Sequence, residues 1–299
     1  METEISATTA PQGPKVLLAV FSAGVDPWLS IEKQVQEDIL GEIGEEFAAT
    51  LWFQGSPQIS SRFRYRLVNW VIRKQIDLMY IKPWFIRRPL KILWKRFPWK
   101  AFGSSYLYRM LQERSTTRED ANSGNRIFQD FPIQLPLAGI RTLDALRFAI
   151  QNYEFDFLLR INSTCLPVPG EIGKLVKNLP AKRVYGGRPL RLGGTTFVSG
   201  AAILLSRDVV EGIVKNAGDF RLNLWEDVGL GQLIQAKNLA RIVEIERKDV
   251  TRVDQIPEER RPGWPGAFVV RCKAESPATT QSLPVIQLMQ ALRIHLTGV

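Results

Sequence analysis

What most constrains the fold of this chain is a set of short apolar runs, each bounded by turn residues and separated by stretches of helical periodicity. Residues 15–22 read Lys-Val-Leu-Leu-Ala-Val-Phe-Ser, and residues 155–161 read Phe-Asp-Phe-Leu-Leu-Arg-Ile. Such β-branched and aromatic runs suit strands buried on both faces, as in a parallel sheet. Between the first strand and a second at 48–53, Ile31, Val35, Ile39, Leu40 and Ile43 fall at helical spacing. Strand, helix, strand is the opening of an α/β domain. Further strands are expected at 127–131, 183–187, 195–199, 241–246 and 266–271. Helices are expected at 138–153, 171–178, 209–216, 226–235 and 284–296. Gly193-Gly194 reads as a hairpin or loop, 113–125 as a surface loop, and Ser206 as a helix cap.

With 299 residues and 45% hydrophobic content, the chain can bury a sizeable core. Residues 15–299 are expected to form a single domain, preceded by a disordered polar start at 1–14. Cys165 and Cys272 are the only cysteines, which implies no disulfide framework and points to a reducing compartment. The start of the chain lacks the apolar run of a signal peptide, and no apolar stretch reaches about 18 residues. One histidine, His295, excludes His/Cys metal clusters and leaves a single imidazole for any triad. It lies in a helical apolar pattern and is expected to be structural, so catalysis falls to carboxylates.

The net charge of +10 is concentrated in one segment: residues 58–112 hold 13 Lys and Arg against the single acid Asp77. Between 62 and 108 these basic residues are interleaved with Trp, Phe and Tyr, and Pro83, Pro89 and Pro98 cut the stretch into short pieces. A covered helical insert with a solvated basic rim fits this composition. So does an element lying on an anionic membrane surface, where each basic residue contributes roughly 1 kcal/mol. Single-stranded nucleic acid also favours basic and aromatic residues together, but no recognition motif accompanies them. The expectation is peripheral membrane contact through 62–108, on the cytoplasmic side of the inner face, with no nucleic-acid partner.

The chemistry-bearing residues fall between 155 and 273. Glu226 and Asp227 stand at a helix start, where exposed backbone N–H groups hold one acid while the other faces a cleft. Helix capping alone would also place acids there. Ser199-Gly200-Ala201-Ala202 brings small residues to a point where a ligand can pass close to the backbone, or where the chain simply turns a tight corner. Tyr185-Gly186-Gly187-Arg188 offers an aromatic face and a cation, although Tyr185 also suits a plain core.

In order and spacing, Phe155-Asp156-Phe157-Leu158-Leu159-Arg160, Tyr185-Gly186-Gly187, Phe197 to Asp208 and Glu226-Asp227-Val228-Gly229-Leu230-Gly231 resemble the β-1,3-galactosyltransferase and fringe group, glycosyltransferase family 31. The likeness covers roughly 127–273. It implies a GT-A type α/β fold, a mostly parallel central sheet flanked by helices, here with a basic aromatic helical insert. It implies an inverting hexosyltransferase of β-1,3 type, moving a sugar from a nucleotide-sugar donor to a hydroxyl of a glycan or lipid-linked acceptor. Asp227 is then the general base and Glu226 its orienter, and donor and acceptor contacts fall to Arg160, Asn162, Ser163, Tyr185, Gly186, Arg188, Ser199, Gly200, Arg271 and Lys273. The family's divalent metal, manganese or magnesium, is held by Asp-x-Asp. This chain has Arg160-Ile161-Asn162 there, with Asn162 the one remaining ligand, and hard cations want carboxylate oxygens. The other expectation is a non-catalytic carbohydrate-binding or scaffolding relative that has lost the metal motif.

Overall fold

A computed structural model describes residues 13–22, 47–55, 117–119, 126–129, 138–168, 170–222, 224–257, 264, 266–273 and 282–297. The expected helix at 31–47, apart from Phe47, and the whole insert at 58–112 lie outside the described residues, as does nearly all of the polar start.

In chain order the elements are β1 (Val16–Ser22), β2 (Ala49–Gly55), β3 (Thr117–Glu119), β4 (Arg126–Gln129), α1 (Ala138–Asn152), β5 (Phe157–Asn162), β6 (Cys165–Pro167) and α2 (Glu171–Lys177). There follow β7 (Val184–Gly187), β8 (Pro189–Leu192), β9 (Thr195–Val198), β10 (Ala202–Ser206), α3 (Arg207–Lys215), α4 (Glu226–Ala236), β11 (Arg241–Glu244), β12 (Arg247–Val250), β13 (Val269–Cys272) and α5 (Ser282–Thr297). Eight strands form the central sheet in the order β11-β7-β10-β5-β1-β2-β4-β3. The pairings β11–β7, β5–β1, β1–β2 and β2–β4 are parallel, while β10 and the edge strand β3 run against their neighbours. The domain is therefore α/β with a mostly parallel central sheet flanked by helices, as the apolar runs require.

Alternation along the central strands feeds two separate cores. Val16, Leu18 and Val20 of β1 share a cluster with Phe157, Leu159 and Ile161 of β5, α2, α5 and the small sheet β12-β13-β6. Leu17, Ala19 and Phe21 point the other way, with Leu158, Ile203 and Leu205, onto α1, α3 and α4. That period of two fixes the register, since a one-residue slip would exchange the faces. It also puts Arg160, the even partner of Leu158, on the side covered by α1 and α4.

Several local expectations change. Residues 113–125 are not wholly loop: Thr117–Glu119 adds an antiparallel edge strand to β4. Ser206 does not cap α3. Its hydroxyl accepts the Val184 N–H at 3.0 Å and donates to Asp208 at 2.6 Å, tying β10 to β7. The Gly193-Gly194 turn does form a two-residue hairpin between β8 and β9, with φ of +56° and +86°, values that favour glycine. His295 is buried with its ring edge-on to Trp264, at a centroid distance of 5.2 Å, in the structural role its helical pattern suggests.

Candidate active site

The sheet reverses its winding between β1 and β5. From β1 the chain builds outward through β2 and β4, then returns to place β5 on the opposite side. Ligands of open α/β sheets bind outside the carboxyl ends of the strands at such a switch point. Here that position is a cleft of about 650 Å³. Phe21 and Ser22 reach it from the end of β1, and Asn162, Ser163 and Thr164 from the end of β5. Because β10 runs antiparallel, its entry turn at Ser199-Gly200-Ala201 reaches the same edge, and the first turn of α4 brings Glu226 and Asp227.

Two glycines of the Glu-Asp-Val-Gly-Leu-Gly sequence account for the position of α4. A Cβ on Gly229 would lie 2.8 Å from the Phe220 ring, and one on Gly231 would lie 2.5 Å from Cβ of Phe197 in β9. Their hydrogens let the helix lie close against both aromatics, which fixes its first turn at the cleft.

Arg160 is the hub of the cleft floor, which it helps to line. It is 4% exposed. Nη2 pairs with Glu226 Oε2 at 2.8 Å, and Nη1 donates to Asn162 Oδ1 at 2.7 Å and to the Gly200 carbonyl. The guanidinium stacks over Phe21 at 4.6 Å from the ring centroid. Arg160 was expected among the donor and acceptor contacts. Its nitrogens instead bind β5, the Gly200 turn and α4 together, and its charge is matched by Glu226. Glu226 also accepts the Thr142 hydroxyl of α1 at 2.5 Å. Burial pushes the Glu226 carboxyl above the usual glutamate range, against the opposing pull of Arg160 and Thr142, and Asp227 adds to the rise. Nearby, Arg141 Nη2 donates to the carbonyls of Ser22 at 3.2 Å and Phe53 at 3.1 Å, and its Nε donates to Gln129 at 3.3 Å. It thereby joins the ends of β1, β2 and β4.

Asp227 is held differently. Oδ2 accepts the Gly200 N–H at 3.1 Å and Oδ1 accepts the Val228 N–H at 2.9 Å, with no cation paired to it among the described residues. Gly200 was expected to let a sugar pass over the backbone. It gives room to Asp227 instead, whose Cβ would stand 3.3 Å from a Cβ at that position. Next to it, Ser199 is 6% exposed, and its Oγ accepts a hydrogen bond from Arg247 Nη1 at 2.9 Å. Arg247 is in turn fixed by Asp249, through Nε to Oδ1 at 2.7 Å and Nη2 to Oδ2 at 3.2 Å. Arg271 lines the cleft from β13.

Four expected contacts lie elsewhere. Tyr185 is fully buried in the core, its hydroxyl accepting the Val198 N–H at 3.0 Å, so it presents no aromatic face to a ligand. Gly186 is buried beside it, where a Cβ would meet Ile245 at 2.4 Å. Arg188 pairs at the surface with Asp249 at 3.3 Å, and Lys273 is exposed beyond the end of β13; neither lines the cleft. The residues that sequence reasoning passed over are Arg141, Thr142, Arg247 and Asp249, together with Leu190, Leu192 and Trp225 at the cleft. The last three were detectable only as large apolar residues in polar surroundings, and they are 41%, 38% and 37% exposed.

A divalent cation does not fit the donor set at the end of β5. The side-chain oxygen of Asn162 is taken by Arg160, Ser163 and Thr164 supply only hydroxyls and backbone, and the described residues contain no group of three or more His, Cys, Asp or Glu able to hold a metal. No helix among the described residues is long and apolar enough to cross a membrane.

No family model matches the chain, and no curated protein matches it in sequence. Among solved structures it is similar to the galactosyltransferase LgtC in complex with donor and acceptor sugar analogs, at 10% identity and a TM-score of 0.39, over 95% of this chain and 97% of that one. It is also similar to an active-site mutant of LgtC, at 10% identity and a TM-score of 0.37, over 93% of this chain and 95% of that one. Likeness this faint establishes no shared chemistry.

Proposed function

We propose that the cleft is the active site of a GT-A type glycosyltransferase, moving a sugar with inversion from a nucleotide-sugar donor to a hydroxyl of a glycan or lipid-linked acceptor. The observation that carries this reading is the division of labour between two adjacent acids. Glu226 is withdrawn into an ion pair, while Asp227 stands at the cleft fixed by two backbone N–H groups and without a paired cation among the described residues.

In the transfer, the Asp227 carboxylate takes the proton of the acceptor hydroxyl as that oxygen bonds to the anomeric carbon. The bond from the anomeric carbon to the diphosphate oxygen breaks on the opposite face, and the nucleoside diphosphate leaves with the electron pair. A base so placed contributes about 10² to 10⁴ in rate. The β-1,3 linkage rests on the family resemblance of the ordered motifs over roughly 127–273. Leu190, Leu192 and Trp225 give the cleft an exposed apolar side, which supports an acceptor with an apolar surface, a sugar face or a lipid. Attachment to the inner membrane face through 62–108 belongs to the same reading and rests on composition alone.

The second reading, a carbohydrate-binding or scaffolding relative without turnover, is favoured by one observation: the position of the family's metal ligand is an amide engaged by Arg160. Asp227→Asn separates the two. Screened against a panel of nucleotide sugars and acceptor glycosides, the wild type is expected to turn over and the variant to lose about 10² to 10⁴ in rate while still binding donor. A wild type that binds glycosides but consumes no nucleotide sugar would establish the second reading. Undiminished turnover by the variant would remove Asp227 as the base.

A further inference from the structure

We infer that the cleft recognises a diphosphate directly, through Arg271, the Asn162 amide and the Ser199 hydroxyl, without a divalent cation. This deepens the transferase reading, on which it rests only for the identity of the ligand that carries the diphosphate.

Charge comes first. Arg271 lies in β13 directly across from Asp249 of β12. That is the acid its position would pair it with, yet both Asp249 oxygens are already engaged, Oδ1 by Arg247 and Oδ2 by Arg247 and Arg188. Arg271 is left without a carboxylate among the described residues, and its Nε is buried with no hydrogen-bond partner. The Nε of Arg160 is buried and unpartnered in the same way, so what distinguishes Arg271 is that it is a cation beside the cleft without a carboxylate among the described residues, a setting that favours an anion there. Because Arg271 lines the cleft, the ligand group that completes it is anionic, and a fork of parallel N–H donors matches phosphate oxygens.

The neighbouring groups are set as donors too. Arg160 donates to Asn162 Oδ1, which fixes the amide so that its NH₂ has two protons to give, and no acceptor for them is present among the described residues. Arg247 donates to Ser199 Oγ, so the hydroxyl directs its own proton elsewhere, again with no acceptor among the described residues. Both residues line the same cleft as Arg271. A metal site needs oxygen acceptors converging on one point, whereas these three side chains present donors. Arg247 and Arg160 act as positioning residues, determining which way Ser199 and Asn162 donate.

The experiment is calorimetric titration of the full-length protein with inorganic pyrophosphate and, separately, with uridine and guanosine diphosphates. Each is run in EDTA and in excess Mn²⁺, with wild type, Arg271→Gln, Arg271→Lys, Asn162→Asp and Ser199→Ala, their folding checked by circular dichroism. Pyrophosphate is expected to bind wild type in EDTA with an affinity that Mn²⁺ does not increase. Arg271→Gln, which removes a charge and its fork of donors, and Asn162→Asp, which replaces a donor by a carboxylate, are each expected to weaken it at least about 10- to 100-fold, the scale of one lost hydrogen bond to a charged group. Arg271→Lys keeps the charge but loses the fork, and should recover part of the binding. Ser199→Ala, a small change at one hydroxyl, should weaken it several-fold.

Binding that requires Mn²⁺, or binding by Arg271→Gln equal to wild type, overturns the inference; so does an absence of pyrophosphate binding under both conditions. Pyrophosphate binding in EDTA that depends on Arg271 upholds the anion site even if no nucleotide sugar is turned over, an outcome that would remove the transferase reading alone.

Discussion

Replacing Arg160 with methionine should expose how the two acids of α4 are kept in different states. The substitution retains an unbranched stem but removes the guanidinium that pairs with Glu226, whose side chain is 10% exposed. Breaking a buried ion pair from one side costs about 3–5 kcal/mol, because the partner is left charged and unmatched. Unfolding entropy is about 2.1 cal/mol/K per residue, which for 299 residues is about 0.6 kcal/mol/K. The midpoint of thermal unfolding should therefore fall by about 5–8 °C. The deficit must also depend on pH. Burial already raises the Glu226 carboxyl, with Arg160 the largest opposing influence, so losing Arg160 raises it further. A carboxyl raised in the folded state binds more protons folded than unfolded. Its contribution to stability is present below the ordinary glutamate value and is lost as pH rises through the folded value. Arg160→Met should thus approach wild type in acid and fall away as pH rises, measured by thermal unfolding at a series of pH values. Combined with Glu226→Gln, it should cost clearly less than the sum of the single changes. Deficits that add within about 0.5 kcal/mol, or that do not vary with pH, would refute the coupling.

Gly231→Ala would put a Cβ 2.5 Å from Phe197 and push α4 off β9. A loss of about 1–3 kcal/mol is expected, with turnover falling more than donor binding because Asp227 moves with the helix; denaturant unfolding and steady-state kinetics measure the two. For the insert, flotation with liposomes containing anionic lipid should carry the protein upward at low salt and release it as ionic strength rises. Failure to float at low salt would leave residues 58–112 as a covered subdomain.

The sheet was legible because its signal is local. An apolar run such as 16–21, buried on both faces, cannot satisfy helical amphipathicity, and the helix stripes of α1 and α4 stand between such runs. β3, β6 and β12 were not legible: they are three or four residues long, and β12, Arg-Lys-Asp-Val, is mostly charged. Its strand state comes from pairing with β13, which no local pattern announces. The site divided in the same way. Glu226 and Asp227 were found because acids at a helix start have a local reason to be there. Tyr185 was misplaced because an aromatic beside two glycines reads alike whether its ring meets a ligand or fills a core. Arg141 and Arg247 were missed because their partners are far along the chain: the Ser22 and Phe53 carbonyls for one, the Ser199 hydroxyl for the other.

Arg160 and Asn162 give the end of β5 a chemistry opposite to that of the Asp-x-Asp pair in the family the sequence resembles. A pair of carboxylates at the end of β5 would gather a cation and, through it, a diphosphate. With Arg160 there, the strand carries a positive charge into the cleft floor, and Glu226 of α4 neutralises it. With Asn162 two residues on, the guanidinium takes the amide oxygen and leaves the NH₂ as the part of the side chain that can donate. A donor stands where a metal ligand would carry negative charge, and in the proposed diphosphate site the positive charge a metal would supply comes from elsewhere in the cleft. Arg271, which lines the cleft while Asp249 across from it is engaged by Arg247 and Arg188, is the cation assigned to that role. The same rearrangement explains the state of Asp227. Because Glu226 rather than Asp227 answers Arg160, the second acid of α4 stays at the cleft, held by backbone N–H groups, as its proposed role as base requires.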